Sequence, residues 1–331
     1  MKKILIALIV TACLGPSLWA AGFSKLPMSA RAVSFGGSLV SVSDDPNVIF
    51  YNPAGIASLR SLIVSTTYVQ LFGGIEGDNI RYVTASATAN LGLLGQFGFG
   101  ARTFMADAWK ENEFVGTYAQ DLFDFFKVGG SVKLLQWSSA SPSGLRAVPE
   151  AGLSNAVFSF DAGIQSRIAN FLPENDLVIG VSLADINKPS IAKSTGPGSF
   201  ITPGTTPPDL VEAARLDQRF AAGLSYQSRV YDYLVTIHYV SQGTMKHWGA
   251  GAEFTAFKTE ILDRPVQFLV RAGGGWAGSI TSVIGQGLEQ GEVSAGFGLF
   301  AGGLQINYAY QYHTVLQYLN GSHFISLQYA F

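Results

Sequence analysis

The side chains of this chain that could do chemistry are few and far apart. The four histidines, His238, His247, His313 and His323, fall in separate stretches with no two at metal-ligand spacing. The chain contains no H-E-x-x-H, G-x-S-x-G or phosphate-loop pattern. What recurs instead is a polar residue alternating with apolar ones. Ser159, Asp161, Gln165 and Arg167 oppose Phe158, Phe160, Ala162 and Ile164. Gln267 and Arg271 oppose Val266, Phe268, Val270 and Ala272; Lys133 shares a face with Ser131; His238 faces away from Val235, Ile237 and Tyr239. Such a period of two belongs to strands with one apolar face. No set of these groups meets the geometric requirements of an active site, so no enzyme, cofactor or metal is expected. Gly98-Phe99-Gly100 and Gly296-Phe297-Gly298 superficially resemble nucleotide-binding glycines, but they lie inside strand patterns, where glycine relieves crowding or permits a bend.

The elements that would position these residues must suit a greasy chain. Only 13% of residues are charged, mean hydropathy is +0.26, and Gly numbers 38, Phe 23 and Tyr 13. Lys2 and Lys3, the apolar run 4–10 and Ala20 have the layout of a secretory signal peptide over residues 1–20. The stretch ending in Cys13 also resembles a lipoprotein processing box, a minor alternative. Removing Lys2 and Lys3 from the 21 basic residues leaves 19 against 23 acidic ones, a net charge of −4 that suggests no nucleic-acid partner. Cleavage after Ala20 would leave no cysteine, hence no disulfide framework and no thiolate ligand. Beyond residue 21 no run approaches the ~18 apolar residues of a spanning helix. The choice is therefore between a greasy soluble β-protein and a closed barrel, since only helices and closed barrels satisfy every backbone polar group in lipid.

The chain end favours the barrel. In "SHFISLQYAF", His323, Ile325, Leu327, Tyr329 and Phe331 share one face, with Phe324 the main exception to polarity on the other. Ile325, Leu327, Tyr329 and the terminal Phe331 resemble the signal by which barrel-assembly machinery receives bacterial outer-membrane proteins. In the preceding segment Leu304, Ile306, Tyr308, Tyr310 and Tyr312 form one face, and the tyrosines suit an interfacial girdle. Segments near the about 9–11 residues a tilted strand needs recur throughout. The pattern predicts strands at 62–72, 79–90, 93–105, 112–122, 125–138, 157–168, 175–187, 217–227, 231–242, 246–257, 264–275, 291–300, 303–312 and 321–331. The fold class expected is therefore all-β: an antiparallel transmembrane barrel of about 14 strands over residues 61–331, facing outer-membrane lipid. The long connections 139–156, 188–216 and 276–290 all follow odd-numbered strands, so all three fall on one face of the barrel. An arginine at lipid depth costs ~2–4 kcal/mol, so Lys133, Asp161, Arg167, His238 and Arg271 should face the lumen or a rim.

Residues 21–60 do not alternate. In "DDPNVIFYNPAGIA", Asp45 can cap a turn that starts at Pro46, and Asn52 can cap one that starts at Pro53, with Ala54 following and Gly55 weakening the second turn. Their apolar residues, including Phe50, Tyr51 and Ile56, need a place to be buried. Fourteen strands enclose more space than inward side chains fill. The segment is thus expected to be a short helical plug, or hatch, in the lumen; the alternative is a periplasmic extension below the barrel.

"ARAVSFGG", "SVSDDPNVIFYNPAGIASL" and the two C-terminal strands resemble the PorV/PorQ group within the superfamily of the long-chain fatty-acid transporter, FadL. The resemblance spans residues 21–331, although the middle is similar only in its strand pattern. It implies a fourteen-stranded outer-membrane barrel with an N-terminal hatch built around Asn52, Pro53, Ala54 and Gly55. In the transporter branch it implies hydrophobic ligands bound in the lumen and leaving sideways when the hatch moves. A ligand pocket would then involve Phe50, Tyr51 and Ile56, with Arg271 or Lys133 for a head group. The PorV branch implies an exported protein as the partner instead, and a purely structural barrel is the third reading.

Overall fold

The computed structural model describes residues 23, 26–73, 79–123, 125–140, 154–191, 215–261, 264–279, 290–314 and 320–331. The expected signal peptide, Cys13 and most of the three long connections lie outside these residues.

Fourteen antiparallel strands close on themselves: β1 (Ile63–Gln70), β2 (Arg81–Asn90), β3 (Gln96–Met105), β4 (Trp109–Asp121), β5 (Phe126–Ser139), β6 (Ser154–Leu172), β7 (Asn175–Ala184), β8 (Arg219–Ser228), β9 (Tyr233–Gln242), β10 (Met245–Ile261), β11 (Arg264–Ser279), β12 (Gln290–Ala301), β13 (Leu304–His313) and β14 (Ser322–Ala330). Each strand pairs with its neighbours in sequence, and β1 pairs with β14 in the register Ile63↔Ala330 to Gln70↔His323. No strand edge is left open, which is the condition for placing a sheet in hydrocarbon. Every predicted strand is present, with β6 and β10 longer than the pattern suggested. The connections after odd-numbered strands lie at one end of the barrel. At the other end, turns as tight as 173–174 and 302–303 join the strands.

Alternation sets the two faces. The outward positions carry the exposed large apolar residues, among them Phe97, Phe99, Phe158, Phe160, Ile237, Ile306, Ile325, Leu327 and Phe331. Aromatic side chains gather toward both ends, where an amphipathic ring suits the boundary of a bilayer. Trp248 lies opposite Trp276 and against Tyr239 (ring centroids 4.6 Å apart) toward the long-loop end. Tyr329 meets Phe331 edge-on (4.7 Å), and Tyr231 lies near Tyr233 (6.5 Å), at the short-turn end.

The inward face is buried because residues 26–60 fill the barrel. They form α1 (Ala30–Ser34), capped by Ser29, and two 3-10 turns, Pro46–Phe50 and Pro53–Ser58. The periplasmic-extension alternative is therefore set aside. Asp45 Oδ1 accepts from the Asn47 N–H (2.9 Å) and Asn52 Oδ1 from the Ala54 N–H (3.1 Å), so both proline turns are capped as their sequence implies. Gly55 has a different role from the one expected. A Cβ there would stand 2.4 Å from Val48 Cγ2, so the glycine lets the two turns pack together. Phe35, Leu39, Val48, Ile49, Phe50 and Ile56 are all but fully buried in one cluster, and each such side chain contributes roughly 1.5–3 kcal/mol. Phe324, the exception to polarity on its face, points inward and meets Tyr82 edge-on (6.5 Å) beside Ala30 and Val33 of α1.

The outward assignment can be tested on β13. Ile306→Arg, opposite Leu327, is expected to lose about 2–4 kcal/mol of stability in urea titrations in lipid vesicles. Wild-type stability for that variant would show that Ile306 does not face lipid.

Candidate functional site

The candidate site is the hatch and the wall that holds it. A backbone segment inside a barrel must find partners for its own N–H and C=O groups. The inward serines and threonines supply many of them. Ser294 Oγ donates to the Val33 carbonyl (2.7 Å), Thr84 Oγ1 to Met28 (2.9 Å) and Ser182 Oγ to Tyr51 (2.7 Å). Tyr82 donates its hydroxyl to the Pro27 carbonyl, and Ser326 Oγ accepts from the Ala30 N–H (2.9 Å). Polar residues that alternation alone would assign to a solvated lumen are thus largely the docking points of a plug.

Glycine gives the hatch its room. A Cβ on Gly163 would lie 2.0 Å from Asn52 Oδ1, and one on Gly180 would lie 2.0 Å from the Val40 oxygen. One on Gly129 would fall 2.5 Å from the Pro53 carbonyl carbon, and one on Gly100 would meet the Phe50 ring at 2.8 Å. These positions lie on β6, β7, β5 and β3, so the accommodation runs around much of the wall. Gly36 of the hatch has φ of 76° and passes so close to the wall that a Cβ would stand 2.3 Å from the Gly274 oxygen. Gly98, Gly100 and Gly296 point inward against Ile49, Phe50 and Ser34 of the hatch, and Gly298 makes room for Asn307 and Arg271 of the wall.

Charge fixes the hatch on one side. The Arg31 guanidinium binds Glu253 through Nε (3.0 Å) and Nη2 (2.8 Å), and Asp44 through Nη1 (2.7 Å). Glu253 also accepts from Arg271 Nε (2.5 Å), and Arg271 Nη1 reaches Asn307 (2.8 Å). One carboxylate on β10 therefore joins an arginine of the hatch to an arginine of the wall. Burial alone would make Arg31 easier to deprotonate, but Asp44 and Glu253 outweigh it and hold its pKa well above the ordinary value. Its guanidinium also lies 5.5 Å from the Phe35 ring centroid.

The remaining residues singled out from the sequence do not form one constellation. Lys133 binds Asp161 (2.7 Å) and Asp185 (2.6 Å), and Ser159 also donates to Asp185 (2.7 Å). Lys133 and Arg271 therefore already hold carboxylates, so neither offers a free cation to a head group. Arg167 pairs with Asp176 beside the turn 173–174, at the short-turn rim. His238 lies in the wall with its ring 5.5 Å from that of His247, and His247 Nε2 stands 3.3 Å from Glu292. Two histidines that sequence spacing kept apart are thus adjacent, although no group of three metal-ligating side chains comes together among the described residues. Phe50 and Ile56 are core residues of the hatch, and the Tyr51 hydroxyl accepts from the Met28 N–H (2.6 Å). Asn52 ties the hatch together and to the wall, its Nδ2 donating to the carbonyls of Val40 (2.9 Å) and Ile164 (3.0 Å).

Sequence reasoning missed Arg31, Glu253, Asp44 and Asp185. Arg31 was legible as a lone cation in an otherwise small and apolar stretch, but its partner 222 residues away was not. It also missed a cluster at the long-loop end. There Trp109 and Trp137 stack (4.8 Å, 14° between planes) beside Phe23, Leu135, Ile191 and Leu216.

Comparison with solved structures finds this fold in channel and transporter proteins. The CymD monoaromatic hydrocarbon channel superposes with a TM-score of 0.60 at 11% identity, over 94% of this chain and 99% of that one. The toluene transporter TbuX of Ralstonia pickettii gives 0.60 at 11% identity, over 93% and 100%. A FadL homologue of Pseudomonas aeruginosa gives 0.56 at 14% identity, over 92% and 98%. Identities this low establish the fold alone. No protein-family model and no curated protein matches the sequence.

The wall glycines give a direct test of how the hatch is held. Gly180→Ala should loosen it on that side, read as faster amide hydrogen exchange at Val42 and Asn52 in the purified, folded barrel. Gly116→Ala is the control, because nothing lies within 4 Å of a Cβ there. Equal exchange in the two variants would show that the wall glycines do not hold the hatch.

Proposed function

We propose that this chain is an outer-membrane barrel that passes hydrophobic small molecules, with residues 26–60 as its gate. The observation that carries the reading is the way the lumen is closed. It is filled by a separate segment with an apolar core of its own, held to the wall by hydrogen bonds, glycine contacts and one arginine cluster. Such a segment can shift without breaking the ladder of the barrel. The structural neighbours support the substrate class, since one is a monoaromatic hydrocarbon channel and another a toluene transporter. In this reading the chain reaches the membrane through a signal peptide and the barrel-assembly machinery, which would engage the terminal strand with Ile325, Leu327, Tyr329 and Phe331.

Asn52 is the point at which to test the gate. Replacing it with alanine removes the donors to Val40 and Ile164, leaving two carbonyls to lose partners worth about 1 kcal/mol each. Asn52→Ala and Pro53→Ala are expected to assemble normally, as judged by heat-modifiable mobility on gels. They should change toluene uptake by cells several-fold relative to the parent. Variants that fail to assemble would make the segment a folding element. Normal assembly with no detectable uptake by parent or variants would favour an exported protein as the partner.

A further inference from the structure

Two neighbouring turns at the short-turn end of the barrel are built of large apolar residues that no described residue covers. In the turn between β2 and β3, Leu93 is 99% exposed and Leu94 68%, with Leu91 exposed beside them. In the turn between β4 and β5, Phe123 is 65% exposed, Leu122 and Phe125 are exposed beside it, and the two rings stack (6.1 Å). The turns adjoin, because β3 pairs with β4 down to Gln96↔Ala119 and a Cβ on Gly95 would lie 2.8 Å from the Ala119 oxygen. A contiguous apolar patch of this kind marks a surface that something covers in the working protein.

Sequence and backbone both suit lipid as the cover. No charged residue occurs between Arg81 and Arg102, so the hairpin from β2 through the turn into β3 is uncharged. The turn also meets much of its own backbone need. The Leu91 N–H donates to the Gly95 carbonyl (3.0 Å), Leu94 to Leu91 (3.3 Å), Gly95 to Gly92 (3.0 Å) and Gly92 to Asn90 Oδ1 (2.7 Å). Donors that would otherwise need water are thus bonded locally, as a water-poor surrounding demands. Gly92 and Gly95, with φ of 63° and 85°, supply the left-handed backbone this takes. Length agrees. The 10 residues of β3 rise about 26 Å along the axis at a tilt of about 40°, close to an apolar band about 25 Å tall. The turn therefore lies at the edge of the band, next to the outward rings of Phe97 and Tyr118 (5.1 Å apart). The 17 residues of β10 rise about 44 Å by the same arithmetic, so its hairpin with β11 outruns the band. That hairpin ends in Lys258, Glu260 and Arg264, and Lys258 holds Asp232 (3.1 Å).

We propose that the β2–β3 turn is a lipid-anchoring finger seated in the leaflet at the short-turn end, with Phe123 and Phe125 of the next turn as its shallower flank. The second turn bears Asp121, which holds Arg60 (3.6 Å), and Asp124, so it belongs at headgroup level while the uncharged first turn goes deeper. Lipid rather than a protein covers the finger, because its surface continues the outward belt through Phe97 and Phe99 and offers no charge with which to orient a partner. One side of the rim is thereby held in lipid while the β10–β11 side stands in water. The inference rests on the reading of the chain as a membrane barrel.

The test is the depth of spin labels in vesicles of phosphatidylethanolamine and phosphatidylglycerol. Cys13 is the only cysteine of the chain, so in a Cys13→Ser background nitroxides can be attached singly at Leu93→Cys, Phe123→Cys, Ile306→Cys and Glu260→Cys. Collision with oxygen, which concentrates in lipid, is compared with collision with a water-soluble nickel chelate. The oxygen-to-nickel ratio at Leu93 should be several-fold above that at Glu260 and approach that at Ile306, with Phe123 between. Leu94→Cys takes the place of Leu93→Cys if that variant assembles poorly. A ratio at Leu93 equal to that at Glu260, with Ile306 in lipid, would overturn the finger and leave the barrel in its membrane. Water-like ratios at both Leu93 and Ile306 would overturn the membrane reading and the finger with it. Protection of Leu93 that vanishes when the protein is diluted in excess lipid would identify a second copy as the cover and overturn lipid.

Discussion

Everything in this molecule follows from the requirement that no backbone polar group be left unpaired in hydrocarbon. Closing the sheet meets that requirement for the wall, and fourteen strands achieve it without a free edge. Closure at that size then encloses a volume the inward side chains cannot fill. The hatch fills it, and the hatch is itself backbone, so the same requirement recurs one layer further in. Ser294, Thr84, Ser182 and Asn52 meet part of it by bonding carbonyls of residues in or next to the hatch. The polarity of the lumen is therefore chiefly a property of the plug, and only secondarily of any solvent.

Much of the wall was legible in the sequence because lipid imposes a simple period. An outward residue must be apolar whatever its neighbours are, so alternation survives in β13 and β14 with almost no exceptions. Where the pattern falters, at Phe324, at Gly98 and Gly100 of β3 and at Gly296 of β12, the hatch is in contact. The capping logic of Asp45-Pro46 and Asn52-Pro53 was also legible, since a cap acts within a few residues. What lay beyond reach was pairing across long sequence separations. Arg271 and Lys133 read as candidate anchors for a ligand, because nothing local reveals that Glu253, Asp161 and Asp185 already hold them. The short helix α1 was missed for a related reason: five residues with a serine cap carry too little periodicity to stand out.

The forces that hold the hatch differ in kind. On the side of β10 and β11 it is held by charge, through Arg31, Glu253 and Arg271, in addition to glycine contacts such as that of Gly273 with Ser34. On the side of β5, β6 and β7 it is held by close backbone approach over glycines. Separating a buried ion pair leaves uncompensated charge and is costly, whereas glycine contacts depend on shape alone. A movement that keeps the arginine cluster intact and opens the side of β5, β6 and β7 would therefore disturb the structure least, with α1 as its hinge.

The seam between the first and last strands has a consequence for the order of events in folding. Ile63 and Ala330 are partners although they lie near opposite ends of the barrel sequence, and the Phe331 N–H donates to Leu62 (2.9 Å) where the hatch leads into β1. Pairing so distant in sequence carries a large loop-closure penalty and comes late in assembly. The hatch precedes β1, and its Ala30 N–H binds Ser326 on β14, so this contact forms only once the last strand is in place. The strand that shuts the cylinder is thus also one that grips its contents, and the last stave serves as a fastening for the plug.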